Sequence, residues 1–226
     1  GKSLLWAQRD ELPPFPDDWR EKHPPRQSRH LLGTGLALFG LRNFPVVGRV
    51  EEQNKLWDIL GQTRHESRSR CVVIEGADGM GKTHLAEWLA FRAYEVGAAT
   101  VLRAGFDDED GGEPLIGLIR SLLSTDGMDR ATAEAQVRNA LELLGQVDDT
   151  EVEALLMVLG PFSGEQFSSE MMQERQDVRF TVIRRLLHRF SVLRPIIVVL
   201  EDAHRNQESL AFARTMLSER SIQHPV

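Results

Sequence analysis

Gly76-Ala77-Asp78-Gly79-Met80-Gly81-Lys82-Thr83 is the stretch that decides the fold of this chain. It fits G-x-x-x-x-G-K-[ST], with the apolar run Cys71-Val72-Val73-Ile74 before it and a helical pattern from His84 after it. Strand, glycine-rich loop and helix in that order make a phosphate-cradling P-loop. The glycines let backbone N–H groups curl inward around phosphate oxygens. The helix that follows aims the positive end of its dipole at the same anion. The motif assigns Gly76, Ala77, Asp78, Gly79, Met80, Gly81, Lys82, Thr83 and His84 to a nucleotide cofactor. Lys82 is placed to reach the β- and γ-phosphates, and the Thr83 hydroxyl to hold Mg²⁺.

A second piece lies about 120 residues on, in Ile196-Ile197-Val198-Val199-Leu200-Glu201-Asp202. This is an apolar strand ending in two carboxylates, and ligands of open parallel sheets sit at such carboxyl ends. Phosphoryl chemistry needs one acid for the Mg²⁺ shell and another to orient water. Glu201 is assigned to the metal together with Thr83, and Asp202 to the attacking water. The two roles are interchangeable, because adjacent side chains leave a strand in opposite directions. With Lys82 they form the catalytic set. His204 reads either as a loop histidine or as a contact to phosphate or water.

Between and around these pieces the periodicity alternates strand with helix. Glu51–Leu60 reads as a short helix, 62–70 as a polar connection, and 71–75 as the first strand, with Cys71 buried in it. A helix runs from the loop to about Val96, where Gly97 stops it. Ala99–Arg103 is a second strand. The acidic run Asp107-Asp108-Glu109-Asp110 is a solvated loop or a metal site. Residues 114–190 are helical: Ala133, Val137, Ala140, Leu141 and Leu144 form one stripe, ended by Gly145. Thr150-x-x-Glu153 signals a capping box, and Gly160-Pro161 a stop. Val178, Val182, Ile183, Leu186, Leu187 and Phe190 form another stripe, opposite Arg179, Arg184, Arg185 and Arg189. Those arginines are a solvated face or a dock for an acidic partner. Ile196–Leu200 is the third strand, buried on both faces, and Gln207–Glu219 a further helix. His224-Pro225-Val226 leads toward one more strand.

Strands alternating with helices imply right-handed βα units on a parallel sheet. The fold class is α/β, a three-layer αβα P-loop NTPase truncated at its C-terminal side. Residues 1–45 hold six of the ten prolines and read as a linker or N-terminal extension, with Leu36-Ala37-Leu38-Phe39 as a docking patch. Residues 46–226 are the P-loop core. The chain opens Gly1-Lys2-Ser3 and is read as a piece of something longer.

The chain has 226 residues, enough for one sizeable α/β core. A net charge of −7 argues against non-specific nucleic-acid binding. One cysteine excludes an internal disulfide and fits a reducing compartment. No apolar run reaches membrane-spanning length. Cytoplasmic localisation follows as the expectation. No Cys/His cluster suggests zinc, and no Gly-x-Ser-x-Gly a serine hydrolase.

Val46-Val47-Gly48-Arg49-Val50-Glu51-Glu52 looks like the hhGRxxE box of AAA-type ATPases, and lies 28 residues before the P-loop. Together with the P-loop and Pro195-Ile196-Ile197-Val198-Val199-Leu200-Glu201-Asp202-Ala203-His204, it resembles the STAND class of signalling ATPases. Gly35 to Leu41, leading into the box, is similar to the kinase-linked subgroup found in large bacterial regulators. The resemblance covers roughly residues 33–226. It implies that Val47, Gly48 and Arg49 lie near the adenine or ribose. It also implies ATP or ADP with Mg²⁺ as cofactors, slow hydrolysis, and use of the nucleotide as a switch. Implied partners are flanking kinase and helical-repeat domains and a nucleotide-dependent oligomer. The pattern departs after the carboxylates, where His204-Arg205-Asn206-Gln207 replaces the commoner His-Trp-Ala-Asp. Two other functions share these motifs: a DNA-handling AAA ATPase of the origin-recognition or loader kind, and a non-catalytic nucleotide-binding scaffold.

Overall fold

The computed structural model describes residues 15–21, 46–104, 114–160, 162, 176–192 and 194–218. Leu36 to Phe39, Gly35 to Leu41, Asp107 to Asp110 and His224 to Val226 lie outside them. The elements are α1 (Val50–Glu66), α2 (Lys82–Glu95), β1 (Thr100–Ala104), α3 (Pro114–Leu123), α4 (Arg130–Leu143), α5 (Asp149–Leu159), α6 (Gln176–Ser191), β2 (Ile196–Leu200), a 3₁₀ turn (Ala203–Arg205) and α7 (Gln207–Ser218).

The chain divides into two compact units. One takes the described residues up to Arg103, with β2 to Glu201 and the end of α7. The other takes Ala104–Val192 and Asp202–Thr215.

In the first unit β1 and β2 pair in a two-stranded parallel sheet. Pro195 leads β2 in, and its carbonyl accepts from the Thr100 N–H at 2.8 Å. Helix α1 buries Gln53, Leu56, Trp57 and Leu60, the i, i+3, i+4, i+7 positions of one face. It is longer than the sequence suggests, because Gln62 to Glu66 are tolerant helix residues. It ends where Ser67 turns left-handed at φ 50°. Helix α2 stops at Glu95, and Gly97 takes the positive φ of 71° that reverses the chain. Trp57 and Leu60 pack with Ala93, Val96, Ala98 and Ala99. Phe15, Trp19, Leu89 and Ile197 close over that cluster. Residues 15–21, assigned to the linker, therefore lie against α1 and α2.

One expected strand is not there. Residues 71–75 carry no strand pairing, Cys71 is exposed, and Val73 is 72 % exposed. A strand is held by its neighbour's N–H and C=O groups, so an apolar run without a paired edge stays an open chain. Two of the three expected strands form among the described residues, and β2 is half-buried throughout rather than buried on both faces.

The second unit is helical. Pro114 opens α3, which buries Leu115, Ile116, Leu118, Ile119, Leu122 and Leu123. Asp129 caps α4 by accepting from the Thr132 N–H. Helix α5 begins one residue before Thr150. Its cap is Asp148, which accepts the Thr150 N–H, so the expected Thr150 capping box is displaced by a stronger carboxylate acceptor. Helix C-termini are closed from a distance. Arg120 on α3 donates twice to the Leu159 carbonyl at the end of α5, at 2.9 and 2.6 Å. Arg189 on α6 donates to the Leu141 carbonyl in the last turn of α4 and to the Gln146 carbonyl just beyond it, and also pairs with Glu151.

The arginine face of α6 is thus corrected in part. Arg179 is buried and pairs with Glu208 of α7, beside an edge-on Phe180–Phe212 contact. Arg179 and Arg189 are tied to carboxylates because the helices packed beside α6 supply them. Val178, placed in the apolar stripe, is instead exposed at the start of α6.

Candidate functional site

The glycine-rich loop is laid out by its own backbone. Gly79 and Gly81 hold φ of 77° and 79°, and a Cβ built on either meets nothing within 4 Å. The need for glycine at both positions is therefore conformational rather than steric. A turn bond runs from the Met80 N–H to the Ala77 carbonyl. Gly81 is the N-cap of α2, so Lys82 and Thr83 are its first residues, where N–H groups lack intrahelical acceptors. The Lys82 ammonium donates to the carbonyls of Gly76 and Ala77 at 2.9 and 3.0 Å. It lies 3.8 Å from the Asp78 carboxylate, whose side chain is fully exposed. Thr83 is exposed, and His84 Nδ1 lies 3.8 Å from Glu87 on the next turn.

The resemblance sets Arg49 near the adenine or ribose, and the structure gives it a protein partner on the loop. As the N-cap of α1 it faces the loop itself, donating to the Met80 carbonyl at 3.1 Å. Its other terminal nitrogen donates to Glu52 at 2.8 Å, and that bond holds the Glu52 carboxyl below the usual carboxylate range. Arg49 therefore acts as a brace between α1 and the loop. Gly48 bends at φ 74°, and Val47 is 84 % exposed.

Glu201 ends β2 and faces the Arg103 guanidinium on β1 at 3.6 Å. The same guanidinium lies 3.7 Å from Glu87 on α2. One arginine thus links the helix that starts at Lys82 to the acid assigned to Mg²⁺. Sequence reading missed both Arg103 and Glu87. The available signal was a cation closing an apolar strand whose neighbour ends in two acids. Asp202 turns left-handed at φ 45°, is exposed, and its carbonyl accepts from Arg205 in the 3₁₀ turn. His204 is exposed in that turn.

The donors fit a polyphosphate. A glycine turn, the open N-terminus of α2 and a lysine held by neutral carbonyls together offer an anion better partners than water. Among the described residues no group of three or more His, Cys, Asp or Glu could cage a metal. Mg²⁺ carried by phosphate oxygens needs only one or two protein ligands.

A family model for the AAA ATPase domain matches residues 45–226. The chain belongs to that family. It is an AAA-type P-loop ATPase module, and the matched region begins one residue before Val46-Val47-Gly48-Arg49 and includes the loop and β2. The AAA ATPase domain carries with it the P-loop NTPase αβα fold. No curated protein and no solved structure matches the chain. No helix among the described residues is long and apolar enough to cross a membrane.

Proposed function

We propose that this AAA module binds ATP·Mg²⁺ and uses it as a slow switch within a larger cytoplasmic signalling protein of the STAND kind. The observation that carries the reading is the pre-shaped loop: two positive-φ glycines, Lys82 at the start of α2, and Arg49 bracing the Met80 carbonyl. Gly76 to Thr83 would take the phosphates, with Lys82 exchanging loop carbonyls for phosphate oxygens. Thr83 and Glu201 would hold the Mg²⁺ shell, and Mg²⁺ would neutralise charge developing on the phosphates. Asp202 would orient water. Glu201 is engaged by Arg103, so its service to a metal requires that pair to loosen. This supports slow rather than fast turnover. Flanking kinase and helical-repeat domains, and assembly on nucleotide binding, belong to the same proposal.

The test is thermal unfolding with and without Mg·ADP and Mg·ATP, followed by phosphate release. Ligand at about 100 times Kd adds ~2.7 kcal/mol of stability. Stabilisation lost in Lys82→Ala, with phosphate release lost in Glu201→Gln, is the expected result. Stabilisation without any release would make the module a nucleotide-binding scaffold. Salt-sensitive DNA binding would favour a DNA-handling ATPase.

A further inference from the structure

Residues 15–21 fill a groove built for them. The Phe15 ring stacks on Trp57 at 5.2 Å, and its seat is cut into α1 at Gly61, where an added Cβ would meet the ring at 3.3 Å. A mid-helix glycine disfavours the helix, so its presence here is explained by what it admits. The Trp57 indole donates to the Pro16 carbonyl at 3.0 Å. The Trp19 indole donates to Asn54 of α1 at 2.9 Å, and its ring meets Trp88 of α2 edge-on at 5.0 Å. Arg92 of α2 donates to the carbonyls of Trp19 and Glu21. Arg20 covers the outer face of Trp19 at 4.2 Å. Aromatic rings, indole donors and backbone carbonyls are all used, which is how a specific peptide ligand is held.

Both walls of that groove end at the P-loop. Helix α1 is N-capped by Arg49, which holds the Met80 carbonyl, and Asn54 lies about 7.5 Å further along at 1.5 Å per residue. Helix α2 begins at Lys82, and Trp88 lies about 9 Å along it. The strap crosslinks two rigid rods close to the ends that shape the loop.

We propose that the Phe15–Glu21 strap is an input to the nucleotide site: docked, it fixes α1 against α2 in the arrangement that shapes the P-loop, and its displacement weakens nucleotide binding. This rests on the reading that the loop binds nucleotide. The occupant of the groove is the chain's own segment, so anything pulling on the residues before α1 acts on the loop through it. Coupling between two binding events is reciprocal, so nucleotide must tighten the strap by the same factor.

The experiment uses the whole chain. Calorimetry measures Mg·ADP binding to wild type, Trp19→Ala and Gly61→Leu. The last adds a helix former while occupying the Phe15 seat, so it displaces the strap without weakening α1. Hydrogen exchange over residues 15–21 is followed in wild type with and without saturating Mg·ADP. The expected result is binding weakened about tenfold in both variants, within the usual range of such couplings, and slower strap exchange when nucleotide is bound. Unchanged strap exchange in a wild type that binds Mg·ADP overturns the coupling and leaves the nucleotide reading intact, whatever the variants do. A folded wild type that binds neither Mg·ADP nor Mg·ATP removes the nucleotide reading, and the coupling with it.

Discussion

Two apolar runs in one unit, Cys71-Val72-Val73-Ile74 and Ile196-Ile197-Val198-Val199-Leu200, are both rich in β-branched residues and meet different fates. Each leads directly into a functional segment, the phosphate loop in one case and the paired acids in the other. The second run is β2, laddered to β1 and packed through Ile197 onto the Trp57 cluster. The first is largely exposed and has no strand pairing. Apolar, β-branched residues make a strand possible, but the neighbouring edge makes it real. The loop that follows the open run keeps its shape by other means: its own turn bond, Lys82 on two carbonyls, and Arg49 on a third.

The contrast breaks most sharply at the paired run. Val101 of β1 is buried, and Val101→Asp places an unpaired carboxylate beside β2. It should cost about 3 kcal/mol or more in urea unfolding. Next in size, Lys82→Ala should abolish the stabilisation of ~2.7 kcal/mol expected from saturating Mg·ATP, because that loop owes its shape to Lys82 and not to the run before it. At the open run, Val73→Ser should change stability by less than about 0.5 kcal/mol, as for other surface positions. Cys71 should then react with a thiol reagent as fast as an unfolded control, whereas a buried strand cysteine would be protected. The smallest effect lies outside the sheet. The Thr132 N–H and hydroxyl hold the Asp129 carboxyl below its usual range. Its contribution is present above the unfolded carboxylate pKa and lost as pH falls through the lowered value. Asp129→Asn should flatten that acid limb of the Tm–pH curve.

What the sequence made legible was local. The P-loop, the ends of α2 near Gly97, the run of β2 and the span of α7 all follow from residues within a turn or two of one another. What it hid was non-local. Arg179 and Arg189 read as a surface face because their carboxylates, Glu208 and Glu151, stand 29 and 38 positions away. Arg103 looked like a strand end until Glu87 and Glu201 stood on either side of it. Arg49 carried a role suggested by resemblance, and its contact with Met80 spans 31 positions that no periodicity links. The open run at 71–75 failed for the same reason, since strand pairing is a property of two segments.

The arginine closures of the helical unit bear on how the chain assembles. Helix α4 is capped at its start by its own Asp129 and closed locally by the Leu144 N–H on the Leu141 carbonyl, but the Gln146 carbonyl just beyond it waits for Arg189, 43 positions downstream. Helix α5 waits likewise for Arg120 of α3. An α4–α5 hairpin made alone would fray at the outgoing end of α5 and lack the Arg189 tie across the turn after α4. These helices should mature together and late rather than one by one, with the arrival of α6 as the committing event, and a ribosome-bound chain ending before residue 189 should hold them only loosely.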